Sequence, residues 1–262
     1  MILMLNLLEV NYLVKNFITK NKKIFVFIFW ILIWEVLYLF IKKTIIVPSP
    51  ISVFTKLIEI CKEKEFWISI FYSFSKTLIG FFGALILGSF LGFITYLSKP
   101  IKEILSPILL IIKTAPIVSF IMLTLFFINS NYIPIVISML MVLPIVWENI
   151  YNGIDNVEEK YLQMAKSYEY TKNDIIKNIY IPKVLPYFIS SAAIGIGFAW
   201  KSSITAELVS SIKYGIGNEI YLAKLYLETE SIFAWTFVII ILSLIFQKIF
   251  REILNGFNKK YY

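Results

Sequence analysis

Glu35, Lys113, Lys201 and Glu207 are the residues best placed to do chemistry, because each falls within or at the end of a long apolar stretch. A charge at the centre of a bilayer costs about 2.5–3.5 kcal/mol on insertion scales, so such residues usually face a protein interior or a watery cavity. Lys113 and Lys201 would attract an anionic solute; the alternative is snorkelling to the interface or a structural ion pair. Lys201 and Glu207 stand six positions apart, too far for direct neighbours on one helix, so any pairing runs between helices, with Glu35 a candidate partner for Lys201. Other chemistries are closed. The sequence has no histidine, which excludes imidazole acid–base catalysis and histidine-ligated metals, and a single cysteine, Cys61, makes neither an intramolecular disulfide nor a zinc site. A phosphate-cradling Gly-x-x-x-x-Gly-Lys-Ser/Thr loop is absent. No catalytic residue, cofactor or metal is expected.

The elements that position these charges are membrane helices. Apolar residues make up 59% of the chain and charged residues 16%, against about half and a quarter in soluble domains. The apolar residues gather in six stretches, Ile24–Ile41, Leu78–Leu97, Ile104–Ile128, Tyr132–Trp147, Leu185–Leu208 and Ser231–Phe246. Backbone groups in lipid must pair internally, so the expected fold is all-α, a polytopic bundle of six transmembrane helices in a lipid bilayer. The boundaries are a lead-in at 1–23, a membrane domain at 24–250 with a long loop at 149–184, and a tail at 251–262. The net charge of +8 comes almost wholly from lysine, with Arg251 the one arginine and no basic run interleaved with aromatics, so nucleic acid is not an expected partner. Lys15, Lys20, Lys22 and Lys23 before the first stretch, and Lys248, Arg251, Lys259 and Lys260 at the other end, predict that both termini are cytoplasmic. The bias is moderated by Lys42, Lys43, Lys56, Lys62, Lys64 and Lys76, which fall outside.

Small residues recur every fourth position in two stretches, as Gly80, Ala84, Gly88 and Gly92, and as Ser191, Gly195 and Ala199. Such grooves let helix backbones approach closely, either around a pathway or dimer axis or within one bundle. After the first stretch, Ser49 and Pro50 predict a capped helical start to an amphipathic segment, Ile51–Glu65. The 149–184 loop predicts two short helices. Asp155 or Asn156 caps the first, whose Tyr161, Ala165 and Tyr168 share a face; Thr171 caps the second with Asp174 as the capping-box acid, and Ile175, Ile176 and Ile179 form its apolar stripe. Amphipathic helices there suggest either a docking surface for a soluble partner or a loop packed on its own bundle.

The loop resembles the cytoplasmic signature of bacterial ATP-binding-cassette importer permeases, Glu-Ala-Ala, three residues, Gly, nine residues, Ile-x-Leu-Pro. Here it reads Gln163-Met164-Ala165, Lys166 to Tyr168, Glu169, nine residues, then Ile179-Tyr180-Ile181-Pro182. Gln163, Met164 and Glu169 depart from it, and a non-glycine at 169 predicts either a different turn or one strained by positive φ. Val47-Pro48-Ser49-Pro50, Lys113 to Pro116, Ala199-Trp200-Lys201 through Glu207, Gly215-Ile216-Gly217 and Phe233-Ala234-Trp235 are similar to segments of the branch that transports sulfonates, taurine, nitrate or bicarbonate. The resemblance implies a permease subunit in a bacterial inner membrane, paired with a second permease copy, two ATPase subunits and an extracytoplasmic solute-binding protein. It places ATPase docking on Tyr161, Gln163, Ala165, Tyr168, Glu169, Ile175, Ile176, Ile179 and Pro182. The intramembrane set Lys201, Glu207, Lys113 and Glu35 is the expected translocation pathway.

Two rivals differ in class. A secondary transporter would show two related halves and broken midplane helices; no repeat is visible. A polytopic membrane enzyme needs a convergent catalytic set, which the sequence lacks.

Overall fold

The computed structural model describes residues 22–258, and among them all regular structure is helical. The lead-in up to residue 21 and residues 259–262 of the tail, with Lys15, Lys20, Lys259 and Lys260, lie outside the described residues. The α-helices are α1 (Lys22–Ile41), α2 (Pro50–Ile60), α3 (Lys64–Leu97), α4 (Lys99–Thr114), α5 (Ile117–Phe127), α6 (Ile133–Asp155), α7 (Glu159–Ser167), α8 (Lys172–Ile175), α9 (Ile181–Ser210), α10 (Ile216–Leu225) and α11 (Thr229–Asn258). A 3₁₀ turn, Ser130–Tyr132, precedes α6, and a π turn, Ile176–Tyr180, joins α8 to α9.

The described residues fall into two compact units, one the part up to Ile60 with Ala223–Ala234, the other Cys61–Leu222 with Trp235 onward. In the first, α1 is apolar on every side, as a helix solvated by lipid must be. Ser49 caps α2 by accepting a 3.0 Å hydrogen bond from the Ser52 amide, as the sequence predicts. The helix stops at Ile60 and does not run on to Glu65, because Cys61–Glu63 form a turn. The Trp34 indole donates to the Pro48 carbonyl at 3.0 Å and stacks on Phe233.

The second unit is built on α3, α6 and α9. The small residues of α3 meet α6 in register: a Cβ on Gly80 would overlap Ser138 Oγ and the Ile135 carbonyl, one on Gly88 would lie 2.8 Å from Val146 Cβ, and one on Gly92 2.8 Å from Ile150 Cβ. Contacts that advance together along both helices make α3 and α6 parallel. On α9, Gly195 meets Val142 while Gly153 of α6 meets Tyr187, so α9 runs antiparallel to them. Both small-residue grooves therefore serve packing within one bundle, with Phe81, Ala84, Val142, Val146, Ala192 and Ala199 fully buried between the three helices. The pairs Phe66–Trp235, Phe74–Phe246 and Phe81–Phe250 lay α11 parallel to α3.

Five described helices are long and apolar enough to cross a membrane. The expected third span, Ile104–Ile128, is not one straight helix: α4 and α5 meet at a 109° bend. Pro116 causes it, since its ring disfavours helical backbone at Ala115, which is extended at φ −74° and ψ 147°. Parallel α3 and α6 must be linked by a chain that returns to the opposite face, so the bent pair completes a sixth crossing. α3, α6 and α11 consequently end on one face, where α7 and α8 sit, and α10 lies at the other end of α9. The second and sixth spans are longer than their apolar stretches, and α11 continues through the expected tail boundary at 251.

Candidate functional site

Two regions of the second unit carry the candidate functional residues, one at each end of α9. At the first, α6 runs through Asp155, so neither Asp155 nor Asn156 caps α7; Glu158 takes that position without a side-chain cap bond. Thr171 caps α8 with the full capping box, its Oγ1 donating to Asp174 Oδ2 at 2.6 Å and accepting from the Asp174 amide. The second short helix is not separate. It passes through the π turn into α9 as one helical run, Lys172–Ser210. Pro182 accounts for the π turn, because in a regular α-helix its ring would press on the carbonyl four residues back, at Asn178.

Glu169 has φ 53°, the left-handed conformation that the signature it resembles fills with glycine. It ends α7 in a 6→1 closure, with the Tyr170 amide donating to the Ala165 carbonyl at 2.9 Å. A side chain held there costs about 1–2 kcal/mol.

The expected docking residues divide by burial. Gln163, Tyr168, Glu169 and Ile176 are exposed; Tyr161, Ile175 and Pro182 are half-buried. Ala165 and Ile179 are buried and hold the segment to its own bundle, so they offer no surface to a partner. Met164, Tyr170 and Ile181 are exposed apolar residues of the same segment that the predicted stripes did not include.

At the far end of α9, Glu207 is fully buried. Its Oε2 accepts from Ser73 Oγ at 2.6 Å and from the Gly217 amide at 3.1 Å, while Oε1 has no hydrogen-bond partner in the protein. Ser73 Oγ in turn accepts from the Ile216 amide at 2.9 Å. This placement lends no support to a pathway role for Glu207; it is packed where α3, α9 and α10 converge. Ser73 escaped the sequence reading, although Ser69, Ser73 and Thr77 recur every fourth residue and are all buried.

The other intramembrane charges are separate from this cluster. Lys113, in the last turn of α4 beside the bend, pairs with Glu148 of α6 at 2.6 Å, and both are about half exposed. Glu148 was legible as a further carboxylate directly after the fourth apolar stretch. Lys201 is exposed on α9, and Glu35 is half-buried on α1. Neither belongs to an ion pair among the described residues.

Residues 84–258 match the family described as the inner membrane component of binding-protein-dependent transport systems. The chain is 25% identical over 207 residues to the putative aliphatic sulfonates transport permease protein SsuC of Bacillus subtilis, covering 78% of this chain and 74% of that protein. It is 23% identical over 220 residues to the taurine transport system permease protein TauC of Escherichia coli, covering 82% and 80% respectively. A chain of the MetNI methionine ABC transporter, solved in inward-facing conformations, shares the fold with a TM-score of 0.62 at 15% identity, over 74% of this chain and 98% of that one. Five described helices long and apolar enough to cross a membrane, with a bent pair besides, agree with these matches. The chain belongs to the multi-pass inner membrane permeases of binding-protein-dependent ABC transport systems, in which ATP hydrolysis resides in a separate subunit.

Proposed function

We propose that the segment from Tyr161 to Pro182 is cytoplasmic and docks an ATPase subunit. The transporter would contain two copies of this permease, two ATPase subunits and an extracytoplasmic solute-binding protein, and both termini would be cytoplasmic. One observation carries the docking assignment. On the face where α3, α6 and α11 end, the segment leaves Met164 at 46%, Tyr168 at 72%, Ile176 at 49% and Ile181 at 46% exposure, among polar residues. Apolar side chains clustered on such a surface mark an interaction site. Lys160, Lys166, Lys172, Lys177 and Lys183 support an inside location.

The solute class we propose is a small oxoanion. Relatives named for sulfonates, taurine and nitrate support it, as do Lys113, about half exposed, and Lys201, exposed, two cations in apolar stretches of the chain. Glu148 would release Lys113 to the solute as it passes the α4–α5 bend.

Replacing Ile176 with Asp tests the docking. The variant should insert normally and lose its ATPase on purification; unchanged co-purification would overturn the assignment. Labelling of Lys172→Cys by an impermeant reagent from outside intact cells would overturn the orientation.

A further inference from the structure

We infer that Glu207 is a positioning residue that clamps the far end of α9 to α10 and α3, so that displacement of the docking segment reaches the 211–215 turn on the opposite face. This rests on the docking assignment above.

The mechanical link is covalent and helical. Lys172–Ser210 is a single run of 39 residues, about 55–60 Å at the usual rise. Its first turns belong to the docking segment and its last turn carries Glu207. A rod of that length transmits motion only as far as its far end is fastened, and there the polar part of the fastening centres on one carboxylate oxygen. Glu207 Oε2 holds the Gly217 amide of α10 and the Ser73 hydroxyl of α3 together, and Ser73 holds the Ile216 amide. Two N-terminal amides of α10, groups with no partner inside their own helix, are thus satisfied by α9 and α3.

The approach is close as well as polar. A Cβ on Gly217 would overlap Glu207 Cβ and the Leu208 amide. The connecting turn is confined at both ends, with Ser211 at φ 48° and Gly215 at φ 142°. Because Oε1 is unpartnered, a glutamine can present its carbonyl oxygen to both donors and turn its amide to the other side. Rescue by glutamine therefore separates the clamp from the charge.

The test follows the turn itself. Lys213 is exposed within it, so Lys213→Cys in a Cys61→Ser background reports its accessibility to an impermeant maleimide. The permease is reconstituted in lipid nanodiscs with the ATPase of its own transport system, with and without ATP and vanadate. The parent should show labelling rates that differ between the two conditions by about fivefold or more, the lower range of ordinary allosteric coupling. Glu207→Ala and Ser73→Ala should each retain the ATPase through purification yet lose that difference, and Glu207→Gln should restore it. A difference that survives in both alanine variants, or a glutamine variant as uncoupled as alanine, would overturn the clamp. So would a parent that holds its ATPase but shows no difference. Should Glu207→Ala fail to fold, Ser73→Ala decides, since it removes only the α3 side. A parent that does not hold its ATPase sinks the docking assignment instead.

Discussion

The two ends of the α8–α9 rod solve opposite problems. At the docking end the chain leaves apolar side chains uncovered, spends one left-handed non-glycine residue at Glu169, and holds its short helices with local caps. At the far end the turn itself is exposed at Ser211, Lys213 and Tyr214, but beneath it a fully buried carboxylate, a buried serine and two helix-terminal amides meet in one place. Between them, α3 and α6 approach at glycine. The contrast is one of where satisfaction comes from. At the far end the two helix-terminal amides find their partners within the chain, with Glu207 Oε1 left over, whereas the end proposed to dock leaves apolar area uncovered.

The largest effect should come from the middle. Gly80→Leu drives a side chain into Ser138 and the Ile135 carbonyl, and backbone cannot give way as a flexible side chain can. Overpacking of this kind costs about 1–3 kcal/mol or more, so the variant should melt far earlier in detergent or fail to accumulate. Met164→Ser at the docking end removes an exposed side chain and should leave the melting temperature of the isolated permease close to that of the parent. Comparable losses from both would erase the distinction between a closed core and an open surface.

Much of this was readable in the sequence where a local rule applies. The Thr171–Asp174 capping box, the Ser49 cap, the fourth-residue glycines and the strained position at Glu169 each depend on a few neighbouring residues, and each is present. Failures came where tertiary context decides. Hydropathy begins the second span at Leu78, just past the Lys76 charge; the Ser69, Ser73 and Thr77 hydroxyls before it are buried, and α3 starts at Lys64. Glu207 was legible as an unusual buried acid; its partners were not, since Ser73 lies 134 residues away. The sequence reads Ile175, Ile176 and Ile179 as one apolar stripe, whereas across the π turn Ile179 is buried and Ile176 exposed.

A smaller effect tests how locally the docking end is held. Thr171→Ala removes the cap and should cost about 1 kcal/mol. Hydrogen exchange should rise in α8 and the π turn while α10 stays protected; a matching rise in α10 would mean that the cap stabilises more than its own helix. Glu169→Gly acts in the opposite direction, relieving about 1 kcal/mol of left-handed strain and offsetting part of that gain with unfolded-state entropy. ATPase retention should be kept or improved, and a severe loss would show that the Glu169 carboxylate has a partner of its own.

The smallest effect is a difference in sign with pH. At the docking end, the Lys160 ammonium bonded to Glu158 holds that carboxyl below its ordinary value. A depressed folded-state value contributes stability that is present above the ordinary carboxylate range and lost as pH falls through the folded value. At the other end, burial pushes the Glu219 carboxyl above its ordinary value, with Glu63 and Glu65 adding to the rise and the Ser69 hydroxyl, donating at 2.9 Å, pulling it back. There the ionised form is the disfavoured one, so stability is greatest below the ordinary value and declines as pH rises toward the shifted one. Intrinsic-rate-corrected hydrogen exchange should therefore show α7 gaining protection as pH rises up to the ordinary carboxylate value of about 4.3 and levelling off above it, and the start of α10 losing protection as pH rises beyond that value. Glu219→Gln should flatten the α10 profile and leave α7 unchanged, and Lys160→Ala should do the reverse. Profiles of the same sign at both ends would show that the Glu219 environment stabilises its charge after all, and the far end would then be less closed than its geometry indicates.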